Sequence, residues 1–436
     1  MSALEMPLRV AVTALGCKVN YAEMADLAGR LAAGGCEVVP DSEPADVRVL
    51  NSCTVTAQAD ATTRQRLRRL RRDDPGAHLV LTGCSVDGNP RTYLAQDAGG
   101  KRLPVLGVDA VFSNAQKQGI AAHVLDIAAQ RGGGGTALPP SPPWMRSRAL
   151  IKVQDGCDHR CTYCSVWRAR GAARSLPLGD ILERATSALA AGHAELVLTG
   201  VDLGSYGRGQ NTTLAALVAR LLNEVGATAR LRLSSVNTND ITPELIELNA
   251  HPALCSHWHM PLQSGSDTIL RAMHRGYRRA QYLRVCDSLR RLEPRTEFTT
   301  DVMVGFPGET DADHAATVGV VEQAGMLDAH VFRYSARDGT AAAALDTGVA
   351  DSVARRRSAE VRRAAAASGR ARRNAAVGLT HQALWERVED GSAHGTTATY
   401  LDVVAATGAD ARPGALSTVT ALALEGEVLR ATVAGS

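Results

Sequence analysis

Short apolar runs separated by stretches of helical period organise the first 130 positions. Runs at Arg9–Leu15, Asp46–Leu50, His78–Thr82 and Val108–Phe112 read as strands, and helix-period segments near 21–33, 56–72 and 115–129 lie between them. Such alternation predicts a parallel sheet flanked by helices. The first three runs each lead into a cysteine: Cys17, Cys53 and Cys84. The carboxyl ends of parallel strands share one edge, where ligands sit, so three thiols far apart in sequence are expected to converge. Taken singly, any of them is also an ordinary core residue. Cys36 falls between elements and is expected to be simply buried.

The pattern then breaks. Four glycines and a run of prolines between Arg131 and Pro143 hold neither helix nor central strand, which predicts a linker over 131–145. Beyond it, strand-like runs at 149–153, 195–199, 230–234, 257–261, 299–304 and 329–334 alternate with helical stretches near 178–191, 212–225, 243–250, 266–274, 279–292 and 311–325. Six such units predict a partial (β/α)6 barrel with its chemistry at the carboxyl ends of the strands. His257 and His259 share a face of the fourth strand, as a general base or as a hydrogen-bonded pair lining the barrel. Cys255 and Cys286 have no partner at metal spacing and are read as structural. After an Arg/Ala-rich helix, short strands at 383–388, 398–404, 415–422 and 428–433 predict a small β-barrel. The fold class is therefore α/β with a β-barrel appended: domains at 1–130, 146–375 and 376–436, with 131–145 as linker.

Composition changes this picture little. A length of 436 residues fits about three domains. No apolar run approaches the roughly 18 residues that cross a bilayer, and the Met1–Glu5 start lacks a signal-peptide pattern, so a cytoplasmic, membrane-free protein is expected. Nine cysteines, an odd number, favour metal or catalytic thiols over a disulfide framework. The net charge of +3 is unevenly spread. Arg64 to Arg72 and Arg355 to Arg373 are arginine blocks, each either a solvated helix face or a contact for RNA phosphates.

The most distinctive chemistry is Asp155-Gly-Cys157-Asp-His-Arg-Cys161-Thr-Tyr-Cys164, three thiols on one short loop after the first strand of the central domain. Three thiolates hold a four-iron cluster with one iron open to another ligand. A zinc knuckle completed by another residue, for which His159 is at hand, or a disulfide with one spare thiol are the alternatives.

The C-x-x-x-C-x-x-C spacing with Tyr163 before the last cysteine resembles the signature of radical S-adenosylmethionine (SAM) enzymes. That resemblance implies catalytic, metal-binding Cys157, Cys161 and Cys164 holding a 4Fe-4S cluster whose open iron chelates SAM. The trio Gly16-Cys17-Lys-Val-Asn20, Asn51-Ser-Cys53-Thr-Val55 and Thr82-Gly83-Cys84 further resembles the amino-terminal domain of the radical SAM methylthiotransferases, the MiaB/RimO/MtaB group. Leu15-Gly-Cys-Lys-Val-Asn20 is in the MtaB form. The resemblance implies that Cys17, Cys53 and Cys84 bind a second 4Fe-4S cluster carrying the sulfur to be transferred. It also implies cofactor-binding roles for Thr199 and Gly200 after the second strand, Ser235 after the third, Gln263 after the fourth, and Gly305 and Phe306 after the fifth. Arg168 to Arg174 resembles a further family segment, and Gly395–Tyr400 a hairpin of the RNA-binding TRAM domain.

The implied activity is transfer of a methylthio group to C2 of N6-threonylcarbamoyladenosine beside the anticodon of tRNA. One SAM would methylate a sulfur on the auxiliary cluster, and a second would generate the radical that takes the C2 hydrogen. The implied partners are tRNA and an electron donor such as flavodoxin or ferredoxin. Related alternatives are N6-isopentenyladenosine in tRNA or a ribosomal-protein aspartate as acceptor, and a different one is a non-catalytic iron-sulfur RNA-binding protein. The methylthiotransferase reading expects the two thiol triplets to face each other across one cavity.

Overall fold

The computed structural model describes residues 6–54, 57–96, 102–131, 147–226, 228–345, 347–407 and 411–433. The predicted Gly/Pro linker, apart from Arg131, lies outside them. The chain forms two compact units. The first comprises residues up to 145 together with 156–159 and 164–172; the second comprises 146–155, 160–163 and 173–436.

In the first unit the elements run β1 (Arg9–Ala14), α1 (Lys18–Ala33), β2 (Glu37–Val39), β3 (Val47–Ser52), α2 (Ala57–Asp73), β4 (His78–Gly83), α3 (Cys84–Gly88), α4 (Pro90–Tyr93), β5 (Leu94–Gln96), β6 (Arg102–Pro104), β7 (Ala110–Phe112) and α5 (Ile120–Gln130). The five-stranded sheet has the order β2-β1-β3-β4-β7 and every pairing in it is parallel. Val10, Val12, Val49 and Val80 pack on one face against Leu27 and Leu31 of α1 and Val124 of α5. Leu50, Leu79 and Leu81 pack on the other against Leu67 and Leu70 of α2. Helices on both faces follow from strands apolar on both sides. The sequence reading missed β2, which runs directly from the buried Cys36, and the short β5–β6 hairpin. One later helix, α6 (Val166–Arg170), also belongs to this unit.

The second unit holds β8 (Ala149–Lys152), β9 (Gln154–Asp155), β10 (Arg174–Ser175), α7 (Leu178–Ala190), β11 (Glu195–Thr199), α8 (Leu214–Val225), β12 (Arg230–Leu233), α9 (Pro243–Glu247), β13 (His257–His259), α10 (Asp267–Ala272), α11 (Arg279–Leu292), β14 (Glu297–Val304), α12 (Asp311–Gln323) and β15 (Asp328–Arg333). Strands β8, β11 and β12 form one parallel sheet and β13, β14 and β15 another, joined through a parallel bridge between Leu231 and Leu254. The six predicted strands are thus all present, as an open arc. Phe298, Val302 and Val304 of β14 pack outward with Tyr282 of α11 and Val320 of α12. The alternate positions Glu297, Thr299, Asp301 and Met303 face the other way, so the inner surface is polar. His257 Nε2 and His259 Nδ1 each lie 2.9 Å from the Thr299 hydroxyl.

Helix α13 (Asp351–Ala375) leads into a closed barrel of order β16-β17-β18-β20-β19, formed by β16 (Thr380–Glu389), β17 (Ser392–Thr397), β18 (Asp402–Ala406), β19 (Leu416–Glu425) and β20 (Val428–Val433). The strand expected at 398–404 is a correction: Ala398 to Leu401 form the turn between β17 and β18, and β17 was missed. Tyr400 adopts φ 71°, and its ring stacks on His257 at 4.1 Å, so an apolar-looking position serves as a docking side chain. The docking is reinforced by buried charge. Arg230 donates to the carbonyls of Gln382 and Thr396, and Arg232 to those of Thr397 and Ala398. Glu195 pairs with both arginines and with Arg148. Burial pushes its pKa up, but those three guanidinium groups outweigh it and hold the carboxyl well below the usual range. Among the described residues no helix is long and apolar enough to cross a membrane.

Candidate iron-sulfur and SAM sites

In the first unit the order β2-β1-β3-β4 places a topological switch between β1 and β3, where open α/β sheets leave a crevice. Cys17 follows β1, Cys53 follows β3 and Cys84 follows β4, so the predicted edge is the observed one. Gly16 has φ +92°, and a Cβ there would stand 2.5 Å from both Cβ and Sγ of Cys53. Only glycine lets the β1 and β3 termini approach this closely. Cys17 caps α1 with extended backbone and remains exposed. Although the residue reaches solvent, its thiol pKa is raised: crowding of the sulfur by protein atoms is the largest influence, Arg170 pulls it down, and Cys84 adds to the rise. Cys17, Cys53 and Cys84 thus follow three consecutive strands of the sheet, β1, β3 and β4, and Gly16 is against Cys53. Three thiols at adjacent strand ends fit the donor chemistry of an iron-sulfur cluster.

The surroundings of this trio were not visible in the sequence. Arg170 of α6 brings Nε to 3.2 Å from Cys84 Sγ, Nη1 to 2.6 Å from Glu23 Oε1, and Nη2 onto Asn20 Oδ1. Lys117 Nζ donates to Glu23 at 2.6 Å and to Asn114 at 2.8 Å. Burial lowers the Lys117 pKa and Glu23 opposes that. The two cations, Arg170 and Lys117, are set against two carboxylates, Glu23 and Asp87, and it is Arg170 that touches Cys84 Sγ, so a thiolate there has a cation beside it. Asn20 holds the strand ends together by donating to the carbonyls of Leu15 at 2.7 Å and Ser52 at 2.9 Å.

The loop thiols are built differently. Gly156, at φ +71°, leads into Cys157, and a Cβ there would lie 1.9 Å from the Ala172 carbonyl oxygen. Cys157 N donates to the Gly171 carbonyl at 3.1 Å, and Val166 N lies 3.4 Å from Cys164 Sγ. In the second unit, Thr162 is tied by backbone bonds to Met273 and Ala342, and Tyr163 joins Ile269, Met273, Phe306 and Tyr334 in an apolar cluster. Arg275, absent from the sequence reading, places Nη1 3.5 Å from Cys161 Sγ and Nη2 2.7 Å from Asn237 Oδ1. Asn237 in turn donates to Asp202 at 2.8 Å, and the Asp202 amide is held by Gln154 Oε1 at 2.8 Å. An arginine fork so fixed is suited to a carboxylate ligand.

The expected cofactor-contacting residues all fall at the carboxyl ends of second-unit strands. Thr199 ends β11 and is buried, and a Cβ on Gly200 would come within 2.9 Å of Gln154 Oε1. Ser235 is half-buried just past β12. Gln263 has φ 61° and bridges to β14 through Asp301 and Met303. Gly305 N donates to Glu309 Oε2 at 2.7 Å. Phe306 is fully buried, with its ring in the apolar cluster. Asp301 lies between His259 at 3.3 Å and His330 at 3.4 Å. Burial raises its pKa, and the two imidazoles more than reverse this. Cys255 and Cys286 are buried away from these sites; burial pushes the Cys286 thiol up to about 12, as for an inert structural cysteine.

Comparison with known proteins shows the family. Residues 151–320 match the model of the radical SAM superfamily, and residues 9–101 match that of the Uncharacterized protein family UPF0004. The chain is 36% identical to the threonylcarbamoyladenosine tRNA methylthiotransferase MtaB of Thermotoga maritima, over 79% of this chain and 78% of that one. It is 32% identical to the protein of the same name from Chlamydia pneumoniae, over 89% of each. It is also 34% identical to a tRNA-2-methylthio-N(6)-dimethylallyladenosine synthase of Parafrankia, over 78% and 70%. Among solved structures, the radical SAM methyltransferase TsrM of Kitasatospora setae shares the fold at a TM-score of 0.55 and 14% identity, covering 78% of this chain and 77% of that one. Membership of the superfamily implies one 4Fe-4S cluster and SAM. The chain belongs to the radical SAM methylthiotransferases, in the group that contains MtaB.

Proposed function

We propose that this protein adds a methylthio group to C2 of N6-threonylcarbamoyladenosine beside the anticodon of tRNA. The observation that carries the reading is the gathering of Cys17, Cys53 and Cys84 at the β1/β3 switch point, in a chain that has a second set of three thiols on one loop. In this reading Cys157, Cys161 and Cys164 hold the cluster that binds SAM, and Cys17, Cys53 and Cys84 hold an auxiliary cluster, each with one iron left open. When bound, these groups supply one-electron cleavage of SAM and a carrier for sulfur, which no side chain offers. A ring C–H has no useful acidity near neutral pH, so acid–base residues alone do not suffice.

The chain's own residues bind and orient. Arg275 receives the SAM carboxylate, fixed by Asn237 and Asp202. Gly200, Gln263 and Gly305 let backbone approach SAM, with Thr199, Ser235 and the Phe306 backbone lining the same strand ends. Arg170 and Lys117 stabilise the negative charge gathered near Cys84. The reading requires both thiol sets to open onto one cavity from which bulk water is kept out. Residues 1–130 then form the auxiliary-cluster domain, 131–145 the linker, 146–375 the radical SAM core, and 376–436 a TRAM-like RNA-binding barrel. Flavodoxin or ferredoxin serves as electron donor, and the enzyme works on tRNA in the cytoplasm.

The test is nucleoside mass spectrometry of tRNA from a strain lacking the gene. Loss of 2-methylthio-N6-threonylcarbamoyladenosine, restored by the intact gene, is the expected result. Unchanged methylthio-nucleosides overturn the assignment. The Parafrankia relative carries a dimethylallyladenosine name at 34% identity, which favours N6-isopentenyladenosine as the second acceptor to assay.

A further inference from the structure

Helix α13 carries eight arginines against two acids, a net +6, while the whole chain carries +3. The helix itself is where the positive excess sits, and its arginines divide by face. Ala354, Arg357, Val361, Ala364, Ala365 and Gly369 are buried along the side packed on the second unit. Arg357 is consumed there by Glu309 and Asp311, and Arg372 by Glu297. Arg362 donates to the Val331 carbonyl at 3.0 Å. At about 100° per residue, Arg356, Arg363 and Arg370 fall on the opposite face, in one row about 10.5 Å apart from one arginine to the next. All three are exposed. Arg356 has two surface acids, Asp311 at 3.2 Å and Glu360 at 3.8 Å. Among the described residues, no carboxylate pairs with Arg363 or Arg370.

We infer that this row is a phosphate-binding track for the backbone of the tRNA substrate; the inference rests on the function proposed above and assigns that substrate a docking surface. The occupant follows from what lies between the cations. The other exposed positions of that face, Ser352, Ala359, Ala366, Ala367 and Asn374, include no aromatic or large aliphatic side chain. A stable protein partner needs such anchors at the centre of its interface. A phosphodiester chain needs evenly placed guanidinium groups and small residues that let it come close. The other arginine-rich helix, α2, offers no such row: Arg66, Arg69, Arg71 and Arg72 are paired with Asp41, Asp73 and Asp109, Arg64 is half-buried, and Arg68 is its one exposed arginine without a carboxylate pair among the described residues.

The experiment measures binding of an unmodified tRNA transcript to the reconstituted full-length enzyme by fluorescence anisotropy between about 50 and 200 mM salt. Arg363→Gln with Arg370→Gln is expected to weaken binding roughly tenfold and to reduce the slope of log K against log salt by about 1.4 to 1.8. Arg363→Lys with Arg370→Lys restores most of both, and iron content and thermal unfolding stay at wild-type values. Unchanged affinity and slope in the Gln variant, with wild-type enzyme still modifying tRNA, overturn the track and leave the function standing. Slower cluster reduction by an acidic flavodoxin with tRNA binding unchanged also overturns it, in favour of a protein partner. If wild-type enzyme neither binds nor modifies tRNA, the functional reading fails first and the track falls with it.

Discussion

Cys157, Cys161 and Cys164 are neighbours in the chain, whereas Cys17, Cys53 and Cys84 become neighbours only once a parallel sheet has formed. The difference reaches beyond the ligands. The loop set is shaped by short-range contacts, Gly156 closing against Ala172 and Cys157 N on the Gly171 carbonyl, and is anchored farther off by Thr162 on Met273 and Ala342. The sheet set depends on strand order, on Asn20 bridging two strand ends, and on buried charges contributed by α1, α6 and Lys117. A ligand set written in one motif tolerates change elsewhere in the fold; one assembled by topology inherits every defect of the sheet that assembles it.

The strongest test of this contrast removes one set at a time. After anaerobic reconstitution, Cys17→Ala, Cys53→Ala or Cys84→Ala is expected to lose about half the iron and sulfide and all methylthio transfer, while still cleaving SAM. The triple change Cys157→Ala, Cys161→Ala and Cys164→Ala is expected to lose the other half and all SAM cleavage. Iron and sulfide analysis with chromatography of 5'-deoxyadenosine reads both. If a single change in either set empties both, the two sites are not separately built.

A gentler break uses the glycines. Gly16→Val forces a β-branched residue to φ +92° and a methyl-bearing carbon into Cys53, so the sheet set is expected to lose its cluster while SAM cleavage persists. Gly156→Val, at φ +71° and 1.9 Å from a carbonyl oxygen, is expected to do the reverse. The same two assays decide, and loss of folded protein by circular dichroism would show that the strain is global instead.

Charge comes next in size. In a chain lacking the loop cysteines, Arg170→Gln removes the cation 3.2 Å from Cys84 Sγ. The reduced, more negative cluster loses more stabilisation than the oxidised one, so the midpoint potential falls, by on the order of 60 mV for each 1.4 kcal/mol lost. Redox titration followed by electron paramagnetic resonance measures it. No change in potential would make Arg170 a purely structural contact.

How much of this was legible in sequence follows the same division. The six strands of the arc and the thiols at three strand ends were readable because apolar runs and Cys spacing are local signals. Arg170 lay inside a segment singled out by resemblance, yet its partners Glu23 and Asn20 are 147 and 150 positions away, beyond any pattern along the chain. Arg275 sits in a turn between His274 and Gly276, with nothing in its neighbours to mark it. The two arginine blocks looked alike in composition, and what separates them is the row on α13 that holds Arg363 and Arg370 with no carboxylate partner among the described residues, against Arg68 alone on α2. The turn at Ala398 to Leu401 was taken for strand because Tyr400 and Leu401 read as apolar, whereas one docks on His257 and the other enters the barrel core.

The finest probe of the contrast is Arg275→Lys. The substitution keeps a positive charge near Cys161 but removes the planar fork that reaches Cys161 at 3.5 Å and Asn237 at 2.7 Å together. Lysine is a point charge without that geometry, so the carboxylate it receives is held less well. SAM affinity is expected to fall about fivefold, near 1 kcal/mol, by equilibrium binding to the reconstituted enzyme. Arg275 is bonded to Cys161 and Asn237, so the expected effect is on SAM, and the midpoint potential of the proposed auxiliary cluster, which should not move, is the control. A shift in that potential, with SAM affinity intact, would mean that the two sets share an electrostatic environment, and the contrast between a locally written site and a topologically assembled one would have to be given up.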